Sequence, residues 1–306
     1  MLNVLCIEGR LSPAQSHRVI NNEPTLWLEN FPKLKADGHK YDRGHTVVLS
    51  GGAARTGAAR LAAGAALRIG SGLVTLYSPP GAVLVNASHL TAVMIKSIKD
   101  LDALKLALDD PRITGVIAGP ALGVGEQACL YVEAILSSGK GVVLDADALT
   151  SFKSEPKRLF DAIKQSASSV VITPHMGEYH ALFGGDQPAS DDQRVDMALS
   201  AAEISGAFVV LKGAGTLVAS PENNTDDARI SKCTTAPPWL ATAGSGDVLA
   251  GIIGGLLAQK MPAFEAASCG VWLHADAASR CGPALVSEDL DAGLKEAASA
   301  LVLQKN

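Results

Sequence analysis

The sequence predicts an α/β protein with a mostly parallel central sheet that is covered by helices on both faces. Hydrophobic residues make up 47% of the 306 residues and charged residues 19%, which supplies a large core and argues against disorder. Short β-branched runs alternate with helical patterns from about residue 45 onward. The runs are continuously apolar, as strands of parallel sheets are when helices cover both of their faces.

The predicted elements follow one another in a regular order. Strands are predicted at 46–49, 73–76, 92–95, 115–118, 142–144, 170–172 and 208–211, with helices that include 57–69, 101–108, 127–136 and 157–165. A hairpin over 216–219 and 228–232 and three helices ending near residue 303 complete the chain. Residues 1–38 carry prolines and asparagines without sustained periodicity, so we expect an extended N-terminal arm or linker there.

Composition argues against several function classes. The net charge of −5 provides no basic footprint for nucleic acid, and no apolar run reaches the length of a membrane span. The first ten residues lack the layout of a signal peptide. The five cysteines have neither a CxxC pair nor metal-ligand spacing, so the sequence indicates no metal site. We therefore expect a cytoplasmic protein with reduced, mostly buried thiols and with no nucleic-acid or membrane partner.

The most informative segment is 240–247, which reads LATAGSGD and precedes an apolar stretch. It places Asp247 two or three residues into a predicted buried helix, directly after the glycines at 244 and 246. A helix N-terminus presents unpaired N–H groups that attract phosphate. A carboxylate there can accept the proton of a hydroxyl while the N–H groups hold the phosphoryl group moving onto it. The alternative is a capping Asp on an ordinary core helix.

A second glycine-rich segment closes the predicted strand 208–211. Its residues are Lys212, Gly213, Ala214, Gly215 and Thr216. A lysine that neutralises charge and glycines that expose backbone donors suit a nucleotide phosphate, although the spacing is not that of a P-loop. A tight turn with an exposed lysine is the alternative. A further glycine turn, 51–59, lacks the Rossmann spacing and is either a ligand contact or a packing turn.

Polar residues follow two more predicted strands, at the edge where α/β proteins bind ligands. Alternation predicts Asp145 and Asp147 on one side, where they could orient a magnesium-bound water or a catalytic partner, while Asp147 could instead cap the next helix. His175 could donate to a ligand, and Glu178 could cap the first turn of the following helix or face a metal-bound water. For His274 we expect a role in the core or in a helix contact.

Together these segments resemble the NAD(P)H-hydrate dehydratases of the ribokinase-like superfamily. The matching segments, in the expected order, are 39–44, 51–59, 70–75, 119–123, 143–149, 173–178, 210–216 and 242–251. The resemblance implies one domain over 39–306 with a ribokinase-like three-layer α/β/α sandwich. Enzymes of this family use ADP or ATP to return the S-epimer of NADH or NADPH hydrate to the reduced cofactor. They are understood to phosphorylate the ring hydroxyl and then eliminate phosphate.

The resemblance also implies roles for individual residues. Asp247 is the implied base, and the backbone N–H groups of Gly244, Ser245 and Gly246 are implied to hold the transferring phosphoryl group. Adenine-nucleotide binding is implied for Lys212, Gly213, Ala214, Gly215, Thr216 and Gly246. Hydrate binding is implied for Ala58, Gly123, His175 and Asp247.

Cofactors and partners follow from the same resemblance. Mg²⁺ is implied by the nucleotide chemistry and not by a ligand set in the sequence. Bacterial relatives usually take ADP, so ADP is the expected donor, with ATP as the alternative. A homo-oligomer, tetramers included, and a functional link to an NAD(P)H-hydrate epimerase are expected as well.

Two features depart from the family pattern. Relatives often carry an asparagine segment where this chain has 234–239, which reads TTAPPW. The family also often joins this domain to an epimerase, so the chain is expected to be either a stand-alone gene product or a piece of a longer protein. The nearest alternative function is a vitamin-alcohol kinase of the same superfamily. A non-catalytic nucleotide-binding module is a third, which the intact glycine-rich segments argue against.

Overall fold

The central feature of the computed structural model is a ten-stranded, mostly parallel sheet. The structure describes residues 19–33, 37–222 and 229–305. The strands are β1 (Ile20–Asn21), β2 (His45–Leu49), β3 (Leu73–Ser78), β4 (Met94–Ser97), β5 (Gly115–Ala118), β6 (Gly141–Leu144), β7 (Val170–Ile172), β8 (Phe208–Leu211), β9 (Thr216–Ala219) and β10 (Ile230–Cys233). Their order across the sheet is β1-β10-β9-β8-β7-β6-β5-β2-β3-β4. Strand β9 runs antiparallel to β8 and β10, and the remaining pairs are parallel.

Helices connect these strands and cover the sheet. They are α1 (Pro24–Trp27), α2 (Gly57–Arg68), α3 (Val83–Ala87), α4 (Leu101–Leu108), α5 (Glu126–Leu136), α6 (Asp147–Thr150), α7 (Pro156–Gln165), α8 (Met176–Phe183), α9 (Asp191–Ser205), α10 (Ser245–Ala258), α11 (Ala263–Cys281) and α12 (Leu290–Lys305). Short 3₁₀ turns lie at Leu28–Asn30, Lys40–Arg43, Pro80–Ala82, Pro238–Leu240 and Ser287–Asp289.

Alternation along each buried strand divides the core into two halves. On β6, Val143 belongs to the half of the core that contains residues of α2, α10, α11 and α12, whereas Val142 and Leu144 belong to the half on the opposite face. Both faces are therefore apolar, as the continuously apolar runs predicted. The three layers confirm the predicted ribokinase-like α/β/α sandwich.

Helix α10 packs closely against α2 and the sheet, and glycines make that contact possible. A Cβ on Gly251 would lie 2.3 Å from the carbonyl oxygen of Ala62 in α2, and one on Gly254 would lie 2.4 Å from Ile117 in β5. Only glycine lets the backbone come this near. The packing fixes α10 so that its first residues lie at the carboxyl edge of the sheet.

Most predicted elements are present, with differences at the ends of the chain and at one sheet edge. The predicted strand 92–95 lies two residues later, as β4, because its pairing with β3 begins only at Met94, opposite Thr75. Helix α9 was not predicted, since its sequence DDQRVDMALSAAEIS is polar on much of its surface. Its start is nevertheless marked by Ser190, whose side chain accepts a hydrogen bond from the backbone N–H of Gln193.

The described part of the N-terminal arm packs on the sheet and on α11. β1 pairs in parallel with β10. Trp27 is fully buried against Trp272, with ring centroids 5.5 Å apart, and its indole N–H donates to Asn22 Oδ1 at 3.1 Å. Asn22 in turn donates to the carbonyl oxygen of Ser268 at 2.7 Å. The domain boundary at residue 38 stays a prediction.

Several features predicted from the sequence lie partly outside the described residues. The first eighteen residues, with Cys6, are among them, as is Ala228 at the start of the predicted hairpin strand. Cys129, Cys233 and Cys281 are free thiols, and Cys129, Cys233 and Cys269 are buried. Within the described ranges, none of the helices has both the length and the apolar composition needed to cross a bilayer. The cytoplasmic location stays a prediction.

Candidate active site

Polar residues that follow three neighbouring strands meet at the carboxyl edge of the sheet. Asp145 follows β6, Thr173 follows β7 and Lys212 follows β8, and these three strands are neighbours. The residues two positions earlier belong to the core half that contains α10 and α11. Alternation therefore directs all three side chains toward the N-terminus of α10.

Lys212 is held in this cluster by two carboxylates. Its Nζ lies 2.7 Å from Asp145 Oδ1 and 3.8 Å from Glu178 Oε2. Asp145 is 2% exposed, so its charge is compensated mainly by this lysine. Burial raises the pKa of Glu178, while Lys212 and the backbone N–H of His175 oppose the rise. The prediction of an exposed lysine on a tight turn is wrong, since the side chain is only 20% exposed.

Asp247 is the third residue of α10, as the sequence predicted. The helix starts after Gly244, which has a left-handed backbone (φ 89°). Burial, and after it the charge of Asp145, raise the pKa of Asp247 from the usual 3.8 to about 6, while the charge of Lys212 opposes the rise. A Cβ on Gly246 would lie 3.5 Å from Lys212 Nζ, so the lysine approaches the first turn of α10. A half-buried carboxylate with this pKa suits proton transfer near neutral pH.

Two buried side chains contact the loop of residues 243–246. Ser287 donates to the carbonyl oxygen of Ala243 at 2.6 Å and also packs against Gly244. His274 is 7% exposed, and this burial lowers its pKa to about 4, while the nearby backbone of Ser245 opposes the change. His274 is therefore neutral at pH 7, in a helix contact as predicted. Ser287 was not singled out because it lies in a short turn far along the chain.

The turn of residues 212–216 joins β8 to β9 and is fixed by a residue that sequence reasoning missed. Arg194 of α9 donates from Nη1 to the carbonyl oxygens of Ala214 at 2.6 Å and Gly215 at 3.3 Å. The hydroxyl of Thr216 donates to the carbonyl oxygen of Gly213 at 3.1 Å. The sequence around Arg194 is an ordinary polar helix pattern, which gives no signal of this contact.

Asp145 and Asp147 diverge, contrary to the prediction that both lie on one side. Strand β6 ends at Leu144, and Ala146 has φ 47°, so alternation does not extend to Asp147. Asp147 Oδ2 accepts a hydrogen bond from the backbone N–H of Gly123 at 2.8 Å. It does not cap α6, whose first residue it is.

The other residues implied in hydrate binding lie along the same edge. Ala58 is in the first turn of α2, which follows β2 and the glycine turn. His175 caps α8 with a ring that is 60% exposed; its Nδ1 accepts from the backbone N–H of Glu178 at 3.2 Å, and the carboxylate of Glu178 accepts from the backbone N–H of His175 at 2.9 Å. The capping role predicted for Glu178 is thus confirmed.

A cavity of about 360 Å³ adjoins Gly123 at this edge. Its walls come from the ends of β2 and β3, the residues after β4 and the start of α5, and they include Ser50, Tyr77, Pro79, Lys99, Gly123 and Tyr131. The backbones of the two loops above it are close, because a Cβ on Gly51 would lie 2.1 Å from the carbonyl oxygen of Ala121. That contact supports the packing interpretation at Gly51.

The carboxylates of the site do not form a dedicated metal centre. Over the part of the chain that the structure describes, no group of three His, Cys, Asp or Glu side chains could hold a metal ion. Asp145 is paired with Lys212, and Glu178 is bound to the backbone N–H of His175. Mg²⁺ typically uses one or two carboxylates together with substrate phosphates, so this donor set fits an ion that phosphates carry.

Comparison with known proteins places this geometry in a family. A sequence profile described as NAD(P)H-hydrate dehydratase matches residues 46–286, most of the chain. The chain belongs to the NAD(P)H-hydrate dehydratase family. It is 37% identical over 252 residues to an ADP-dependent (S)-NAD(P)H-hydrate dehydratase of Neisseria meningitidis, covering 81% of this chain and 80% of that one.

Two further similarities concern the extent of the chain and its fold. A bifunctional NAD(P)H-hydrate repair enzyme of Coxiella burnetii is 34% identical over 250 residues, which are 82% of this chain but 48% of that protein. This family member thus spans about half the length of the bifunctional relatives it matches. An ADP/ATP-dependent NAD(P)H-hydrate dehydratase of Bacillus subtilis has a similar structure, with a TM-score of 0.79, 25% identity and coverage of 94% of this chain and 100% of that one.

Proposed function

We propose that this protein dehydrates the S-epimer of NADH or NADPH hydrate back to the reduced cofactor, at the expense of a nucleotide. The observation that carries the proposal is Asp247, a half-buried carboxylate with a pKa of about 6 in the first turn of α10, next to Lys212. A base, a helix N-terminus and a lysine are the groups that phosphorylation of a hydroxyl requires. Membership of the dehydratase family supports the identity of the substrate.

In the proposed mechanism Asp247 removes the proton of the ring hydroxyl as the hydroxyl oxygen attacks the terminal phosphorus of the nucleotide. A new P–O bond forms, and the bond between that phosphorus and the bridging oxygen breaks. The backbone N–H groups of Gly244, Ser245 and Gly246 stabilise the charge on the transferring group. Inorganic phosphate then leaves with the C–O bonding electrons, and loss of a proton from the adjacent ring carbon restores the double bond.

The two ligands are proposed to lie side by side along the sheet edge. Lys212 and the 212–216 turn, with Gly246, receive the adenine nucleotide on the β8 side. Ala58, Gly123 and His175 receive the hydrate toward β2, where the cavity beside Gly123 offers space for the remainder of the dinucleotide. Asp145 keeps Lys212 directed at the first turn of α10 until phosphate arrives.

The donor and the ion are proposed from the relatives and from the chemistry of the site. The Neisseria relative is ADP-dependent, and the Bacillus relative was co-crystallised with ATP and Mg²⁺. We propose ADP as the donor and Mg²⁺ bound to its phosphates, where the ion neutralises charge. A homo-oligomer and a functional link to an epimerase, which the bifunctional relatives suggest, belong to the same proposal.

The test follows the absorbance of reduced nicotinamide after purified protein and Mg²⁺ are added to chemically prepared NADH hydrate. We expect no rise without nucleotide and a rise with ADP, and a parallel sample with ATP identifies the preferred donor. Folded protein that binds adenine nucleotide but gives no rise with either donor contradicts the proposal. Accumulation of a stable phosphate ester on a vitamin alcohol would instead indicate the related kinases.

A further inference from the structure

The guanidinium of Arg194 has one nitrogen engaged by the 212–216 turn and another that is not. Nη1 donates to the carbonyl oxygens of Ala214 and Gly215. Nη2 is buried and has no hydrogen-bond partner among the described residues. It lies 3.0 Å from the position that a Cβ would occupy on Gly213, so it faces the same turn.

A buried guanidinium nitrogen without a hydrogen-bond partner is unusual, because buried donors are normally paired. A buried donor without a partner is unfavourable, and more so when the group is charged. The neighbouring cation Lys232 does not share this state, since its Nζ is paired with Asp191 at 2.8 Å. Lys212 is likewise paired, with Asp145. Among these three cations at the turn, Arg194 alone keeps a donor nitrogen free in the described structure.

We infer that Arg194 is a binding residue for the adenine nucleotide, whose Nη1 fixes the 212–216 turn and whose Nη2 donates to a phosphate oxygen. The inference rests on the proposed use of this turn by the nucleotide. Phosphate is the part of the nucleotide that matches the free nitrogen, because a guanidinium binds phosphate through charge-assisted hydrogen bonds, whereas adenosine offers neutral acceptors.

Calorimetric binding of ADP and of adenosine, without hydrate, tests this role; adenosine is measured by displacement of ADP. For Arg194→Ala we expect ADP affinity to fall roughly tenfold to a hundredfold, the usual range for a charge-assisted hydrogen bond, and adenosine affinity to change much less. Arg194→Lys keeps the charge but loses the planar guanidinium that can donate from two nitrogens at once. Its ADP affinity should therefore lie between those of the wild-type protein and Arg194→Ala. Arg68→Ala is the matched control: it removes a helical arginine paired with Asp291, away from the turn, and should change neither affinity.

Equal losses of affinity for ADP and for adenosine would overturn the inference, because they would mean that Arg194 only shapes the turn. Unchanged ADP affinity in both variants would overturn it as well. If Arg194→Ala fails to fold, Arg194→Lys decides by the same comparison. Wild-type protein that binds ADP through Arg194 but dehydrates no hydrate would contradict the proposed function while leaving this inference intact.

Discussion

Three interactions set the pKa of Asp247 and therefore its ability to act as a base. Burial disfavours its charged form, Asp145 adds repulsion, and Lys212 stabilises the carboxylate. The result is a pKa of about 6, close to the neutral range in which a general base is effective. A carboxylate with the ordinary pKa of 3.8 would be a weaker acceptor for a hydroxyl proton.

Replacement of Asp247 by Asn should abolish turnover and leave nucleotide binding almost unchanged. The amide is nearly isosteric but cannot take the proton, and a general base contributes on the order of 10²–10⁴-fold to rate. Steady-state rates and calorimetric ADP binding measure the two effects. More than a few per cent of residual activity would show that Asp247 is not the base.

The activity should also depend on pH through this residue. The base works when deprotonated, so kcat/KM should fall as pH decreases through about 6. Asp145→Asn removes a charge that raises the pKa of Asp247. In this variant the fall of kcat/KM should therefore occur at a lower pH. The full pH profiles of both proteins provide the comparison, and an Asp145→Asn limb that stays in place or moves upward would contradict the assigned cause.

Lys212→Ala should weaken nucleotide binding more than hydrate binding. The lysine approaches the first turn of α10 and begins the 212–216 turn, where phosphate is expected. Loss of a charge-assisted bond predicts a nucleotide KM raised by about tenfold or more. Separate KM values for ADP and hydrate report the effect, and equal increases would argue against a phosphate role.

At the scale of elements, the site depends on how deeply α10 is seated between α2 and the sheet. Gly251 faces the backbone of Ala62 at a distance that excludes any side chain. The same contact sets where the first turn of α10 lies, so stability and activity are expected to change together.

Gly251→Ala should therefore destabilise the fold by about 1–3 kcal/mol, because an added methyl group forces two helices apart. Gly64 of α2 is the matched control, since a Cβ there would have no neighbour within 4 Å. Gly64→Ala should leave the free energy of unfolding unchanged or raise it by up to ~1 kcal/mol. Urea unfolding of both variants makes the comparison, and equal midpoints would contradict the close-contact argument.

At the scale of the whole molecule, strand order brings together residues that are distant in sequence. Asp145 and Lys212 meet because β6, β7 and β8 are neighbours, although 67 residues separate the two. From β8 to β2 the edge spans four strand spacings, about 19 Å, which is room for two ligands side by side. The antiparallel β9 and the nearby α9 border the side proposed for the nucleotide.

The sequence predicts much of this arrangement. The features that it does not predict were missed for physical reasons. The glycine-rich ends of buried strands indicate ligand positions, and the LATAGSGD run marks the start of α10 and its carboxylate. Periodicity does not reveal strand order, so the Asp145–Lys212 pair could not be foreseen. Arg194 and Ser287 lie in polar surface patterns that resemble many others. Asp147 was misplaced because the positive φ of Ala146 breaks the alternation.

The most direct test of the central claim counts products per nucleotide consumed. Purified protein is incubated with NADH hydrate, Mg²⁺ and the preferred donor, and the amounts of NADH, inorganic phosphate and dephosphorylated nucleotide are measured together. The account predicts equal amounts of all three, since each hydroxyl is phosphorylated once and each phosphate is then eliminated. Nucleotide consumption with phosphate retained on the substrate, or phosphate release without NADH, would contradict it.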